Sequence, residues 1–138
     1  MNSYDPYAHA AELGVAIRHL PIDPLGLFMA QYNTVVVQSG LSREQDRFVL
    51  AHQLAHIEMD DPLEDDADDD EGEQREIRAN NIAAMRLIPY PELVEAWKRH
   101  GEDAASMADA LGVPVEVLNA RLRLLRLQSE SQSTEGGI

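Results

Sequence analysis

The sequence predicts a single α+β domain: a small antiparallel sheet near the N-terminus and a mainly helical C-terminal half. Three observations carry this expectation. Residues 15–38 hold three short runs rich in Val and aromatic side chains, the composition of strands. From Ser42 onward, apolar residues recur at helical spacing in segments punctuated by Gly and Pro. The chain has 138 residues, 44% of them hydrophobic and 26% charged, which suits one domain with one sizeable core.

Taken in order, residues 3–14 (SYDPYAHAAELG) read as a short helix ending at Gly14. Residues 15–22, 26–32 and 34–38 read as strands, with Asn33 suited to a tight turn between the last two. Ser42 opens a long helix to about Met59: Ser42 and Gln45 fit a capping box, and Glu44 and Asp46 suit the positive helix end. The acidic, low-complexity stretch 60–73 (DDPLEDDADDDEGE) breaks both periodicities and reads as a mobile loop. Helices follow over about 74–88, ended by Pro89, and from Pro91 to Gly101. Residues 103–112 and 115–127 form two more, joined through Gly112-Val113-Pro114, with Met107, Leu111, Val113, Val117, Leu118, Leu122 and Leu125 at helical spacing. The domain is expected to span 1–128, with 129–138 a disordered tail.

Composition excludes several classes of function. No cysteine is present, which removes disulfides, thiolate zinc sites, Fe–S clusters and cysteine nucleophiles together. No apolar run approaches the length of a membrane span, and no signal-peptide pattern opens the chain, so a cytoplasmic protein is expected. The net charge of −14 opposes direct nucleic-acid binding and membrane-surface binding, which need basic patches. The charge is concentrated. Glu58–Glu76 carries 12 acids and one base, a net of −11, and leaves −3 for the remainder.

The chemistry-bearing segment is FVLAHQLAHIEMD, centred on His52-Gln53-Leu54-Ala55-His56. Two histidines four apart on a helix project from one face. Neutral imidazoles so placed can hold one Zn²⁺, but a catalytic site needs a third protein ligand and one open position. The next helix offers Glu76 as a carboxylate donor. It offers Asn80 one turn further along the same face, where an amide can orient a ligand histidine. Two such helices in succession are far more specific than either motif alone.

These segments, LAHQLAHIE (50–58) and EIRANNIAAMRLIP (76–89), resemble the ImmA/IrrE-like zinc metallopeptidase family, a gluzincin-type group built on an HExxH helix. PELVEAW (91–97) and LGVPVEVLNARL (111–122) extend the similarity over roughly residues 15–125, the C-terminal part being generic. The resemblance implies Zn²⁺ held by His52, His56 and Glu76. Arg78, where many members have a second acid, cannot ligate a cation. The resemblance also implies peptide-bond hydrolysis and a regulatory setting, in which members cleave or inactivate repressors of phages and mobile elements or act in stress responses. A repressor-like protein is thus the expected partner.

One departure stands out. The family has Glu where this chain has Gln53. That carboxylate takes a proton from the attacking water and passes it to the leaving amine. A neutral amide can hydrogen-bond the water but cannot act as a general base near pH 7. Three explanations remain: a substitution made to trap an inactive form, a natural zinc-binding pseudoenzyme, or another residue acting as base. Glu58 is nearest in sequence, yet its position relative to His56 points it elsewhere on the helix. The alternative function is a non-catalytic, zinc-stabilised binding module that engages a regulator through the acidic loop.

Other features have plainer readings. The 103–125 helix pair has a helix-turn-helix outline with Arg121, Arg123 and Arg126 on its second helix, but overall charge favours an ordinary packed hairpin. Phe48 and Trp97 are expected in the core. His9, His19 and His100 lack partner motifs and read as structural or surface residues; neither His100 nor Tyr90 is fixed near the metal by any spacing.

Overall fold

The structure, a computed structural model, describes residues 4–61 and 70–136, with side chains to Ser129. It opens with helix α1 (Pro6–Glu12), whose first turn is capped by the Asp5 carboxylate accepting from the Tyr7 N–H. Strands β1 (Ala16–Leu20), β2 (Gly26–Met29) and β3 (Thr34–Gln38) follow. Helices α2 (Arg43–Glu58), α3 (Asp70–Leu87), α4 (Tyr90–His100), α5 (Ala104–Leu111) and α6 (Val115–Gly136) complete the chain.

The α+β class and the helical C-terminal half are as the sequence predicts. The sheet differs in one pairing. Its order is β1-β3-β2, with β2 and β3 antiparallel but β1 and β3 parallel, Ile17 beside Val35 and His19 beside Val37. Two reversals of direction make the first and third strands parallel, and the centre goes to TVVVQ, whose Val35, Val36 and Val37 are all buried. Burial on both faces is what a central strand demands. The expected strand 26–32 stops at Met29; Ala30–Tyr32 is a 3₁₀ turn closed by Asn33 in the left-handed region at φ 47°.

Helix α2 is the hub. Its N-terminus is capped as expected, Ser42 Oγ accepting from the Gln45 N–H at 3.1 Å. Val49, Leu50 and Leu54 pack on Val35 and Val37 of the sheet and on Ala10 of α1. Ala51 joins a second core built from α3 (Ala83, Ala84, Leu87), α4 (Leu93, Ala96) and the α5–α6 pair (Met107, Leu111, Val117, Leu118). Buried alanines on α2 (Ala51, Ala55) and α3 (Ala79, Ala83) let these two helices approach closely. Arg47 ties α2 to the α5–α6 turn by donating to the Gly112 carbonyl at 2.6 Å.

Several boundaries and burials depart from expectation. Helix α3 begins at Asp70, four residues early, because Asp70, Glu71 and Glu73 occupy its first turn, where the helix dipole favours acids. The expected loop 60–73 is therefore helical over 70–73, and its 62–69 portion lies outside the described residues. Helix α6 continues to Gly136, past the start of the expected tail at 129, no Gly or Pro intervening. Trp97 is 57% exposed rather than core, because α4 buries only Leu93 and Ala96, too narrow a stripe to cover an indole. Leu122 also faces outward. Arg121 is buried, its Nε donating to the Ile88 carbonyl at 2.7 Å, so this arginine serves the α3 C-terminus rather than a nucleic acid.

Candidate metal centre

With its apolar positions spent on two cores, α2 leaves His52, Gln53 and His56 on its remaining face, partly exposed. The α2–α3 packing carries Glu76 to them. Its Oε2 lies 3.0 Å from His52 Nε2 and its Oε1 lies 2.8 Å from His56 Nε2. The two Nε2 atoms are 3.1 Å apart, and the rings meet edge-on with centroids 4.7 Å apart. The expected trio is thus brought together, and it is the one group of three potential metal-ligating side chains among the described residues.

The donor set suits a divalent cation. Two imidazole nitrogens and a carboxylate converge on one point, leaving the exposed side open, as a three-ligand site requires. Burial pushes the His52 imidazole below its ordinary pKa, with His56 adding to the effect, while Glu76 and Asn80 oppose it. The neutral ring is the form that binds metal. Asn80 interacts with the His52 imidazole, although Nδ1 of that ring is buried without a well-aligned hydrogen bond. Phe48 packs against the second core and tilts over His52 at 5.9 Å between ring centroids.

His56 and Glu76 open onto a cleft of about 330 Å³ between α2 and β2, and His52 lines an adjoining hollow with Gln53, Glu76 and Asn80. Gln53, His56 and Ile57 form one wall, Gly26, Leu27 and Phe28 the other, with Asp60 and Asp61 at one end. At Gly26 strand and helix lie close together: a Cβ there would lie 2.6 Å from Val49 Cγ1. A larger groove of about 860 Å³ lies at the N-terminal end of α2, beside α1 and the end of α5. None of the three convergent residues lines it, so the chemistry belongs to the smaller cleft.

The remaining candidates lie elsewhere. His9 meets Tyr4 and Glu58, and His19 meets Asp46 and Tyr7. Glu58 also pairs with Arg86 at 2.6 Å and does not line the cleft. His100 and Tyr90 do not line it either. Two features were not anticipated from the sequence. Strand β2 forms a wall of the cleft, and Asp61 sits behind His56, its Oδ2 2.8 Å from Nδ1. The only sequence signal for Asp61 is its place three residues past the end of α2.

Among the described residues no helix is long and apolar enough to cross a membrane. Residues 10–123 match the Peptidase_M78 family, described as the IrrE N-terminal-like domain. The chain is 32% identical over 104 residues to the radiation response metalloprotease IrrE of Deinococcus radiodurans, a match covering 70% of this chain. It spans about a third of that relative's length, the aligned part being 32%. Because the family match takes in the two helices that carry His52, His56 and Glu76 and most of the domain around them, the chain belongs to the Peptidase_M78, or IrrE N-terminal-like, family of metallopeptidase-like proteins.

Proposed function

We propose that this chain is a zinc metallopeptidase-like domain whose hydrolytic step is impaired by Gln53. The convergence of His52, His56 and Glu76 beside an open cleft is the observation that supports it most strongly. These three residues would hold Zn²⁺, and Asn80 would steady His52. When bound, the ion supplies Lewis-acid polarisation of a scissile carbonyl.

The protein's own groups do the rest. Strand β2 is an edge strand that walls the cleft, so an extended peptide can add to it through main-chain hydrogen bonds. Leu27 and Phe28 offer it apolar contact, while Gln53, across the cleft, can orient a water by hydrogen bonding. An amide cannot take that water's proton near pH 7. Losing a general base costs on the order of 10²–10⁴-fold in rate. The partner class that accords with this reading is a repressor-like regulatory protein, and the setting is cytoplasmic.

Gln53 itself favours a second reading, a zinc-stabilised module that binds a regulator without cutting it. One experiment separates the two. Parent chain and Gln53→Glu are incubated, with zinc or with a chelator, against a quenched-fluorescence peptide library and candidate repressors. Cleavage by Gln53→Glu that needs zinc and exceeds the parent by about 10²-fold or more supports the impaired peptidase. No cleavage by either zinc-loaded form supports the module.

A further inference from the structure

The C-terminus of α2 is built around His56. Asp60 takes the left-handed conformation at φ 55°. Its N–H donates to the Ile57 carbonyl at 3.0 Å, and the Asp61 N–H donates to the His56 carbonyl at 3.1 Å. This pair of bonds is a Schellman closure, with Asp60 where glycine is usual. Asp is one of the few other residues that tolerate the left-handed region. The reversal has a chemical consequence. It folds Asp61 back over the last turn, so that its carboxylate, only 8% exposed, reaches His56 Nδ1 at 2.8 Å. Asp61 therefore grips His56 twice, at the backbone carbonyl and at the ring.

We propose that Asp61 is a positioning residue that fixes His56 for metal binding through Nε2. This rests on the metal-centre reading above. A carboxylate accepting from Nδ1–H settles the tautomer, leaves the Nε2 lone pair facing Glu76 and makes that nitrogen a stronger donor. Among the described residues no carboxylate meets Nδ1 of the other imidazole: His52 Nδ1 is buried and has Asn80 as its polar neighbour. The two histidines are thus unequal, and His56 is the anchored one.

The test is zinc affinity of the full chain, measured by competition with a chromophoric chelator. The parent is compared with Asp61→Ala, Asp61→Asn, Asp60→Gly and His52→Ala, and metal-free melting curves establish that each is folded. Asp61→Ala is expected to bind zinc about 10–100-fold more weakly. Asp61→Asn should fall between it and the parent, because the amide oxygen still accepts from Nδ1–H without the negative charge. Asp60→Gly, which takes the same turn without strain, should stay within about twofold of the parent. Parent-like affinity in both Asp61 variants, with His52→Ala unable to bind, overturns the positioning role and leaves the metal centre standing. Loss of melting temperature at unchanged affinity overturns it equally. Failure of the parent to bind zinc overturns both readings together.

Discussion

Gly26→Ala tests whether the close approach of β2 to α2 shapes the cleft. Two effects oppose each other. Alanine in a strand interior is favoured over glycine by about 0.5–1 kcal/mol through chain entropy. Against this, the new methyl would sit 2.6 Å from Val49 Cγ1 and 3.4 Å from both Gln53 Cγ and the Val36 carbonyl oxygen. Ordinary carbon contacts are about 3.5–4 Å, so roughly 1 Å of movement is needed. Val49 is β-branched and on a helix, where one χ1 rotamer dominates, and it is 4% exposed, so it cannot swing aside. Overpacking of this kind costs about 1–3 kcal/mol. Overpacking wins, for a net loss of about 1–2 kcal/mol and a fall in melting temperature of roughly 3–10 °C. The assay is thermal and urea unfolding of a double-mutant cycle with Val49→Ala, which removes the clashing methyl. In that background Gly26→Ala should be neutral or mildly stabilising. Equal effects in the two backgrounds, or a Gly26→Ala protein as stable as its parent, would refute the argument.

Leu54, fully buried between His52 and His56 in sequence but facing the sheet, should lose about 2–5 kcal/mol as Leu54→Ala, read by urea denaturation. Asp103 caps α5, accepting from the Ser106 hydroxyl at 2.8 Å and its N–H at 3.1 Å, and these bonds hold its carboxyl below the usual range. The folded pKa is depressed, so the stabilisation is present above the ordinary carboxylate pKa and is lost as pH falls through the folded value. Asp103→Ala should therefore melt below its parent at pH 7, with the gap closing below about pH 4. Zinc at about 100 times its dissociation constant should stabilise the parent by about 2.7 kcal/mol, measured as a shift in the urea midpoint, and should leave Glu76→Gln much less affected.

Much of this was legible in residue types and spacing. Ser42 and Gln45 mark the start of α2, and an i, i+4 histidine pair on any helix shares a face. Glu76 and Asn80 repeat that logic on α3. What periodicity could not convey is how elements pair. Strand patterns identify β1, β2 and β3, but the parallel β1–β3 pairing follows from burying all three valines of TVVVQ at the centre. The same holds for Gly26, whose spacing carries no hint that Val49 lies against it. Asp61 was hidden for a different reason. It is one of twelve acids between Glu58 and Glu76, and only the left-handed turn at Asp60 sets it apart. Trp97 shows the limit of residue-type reasoning: an indole is expected inside, yet a short helix can leave it without cover.

The three-donor point where α2 meets α3 is the feature on which the proposed chemistry depends. Metal analysis of the purified chain beside His52→Ala and Glu76→Gln, after dialysis against limiting zinc, tests it most directly. One zinc per parent chain, and little or none in either folded variant, is the predicted result. Equal zinc in parent and variants, or none in the parent, contradicts it.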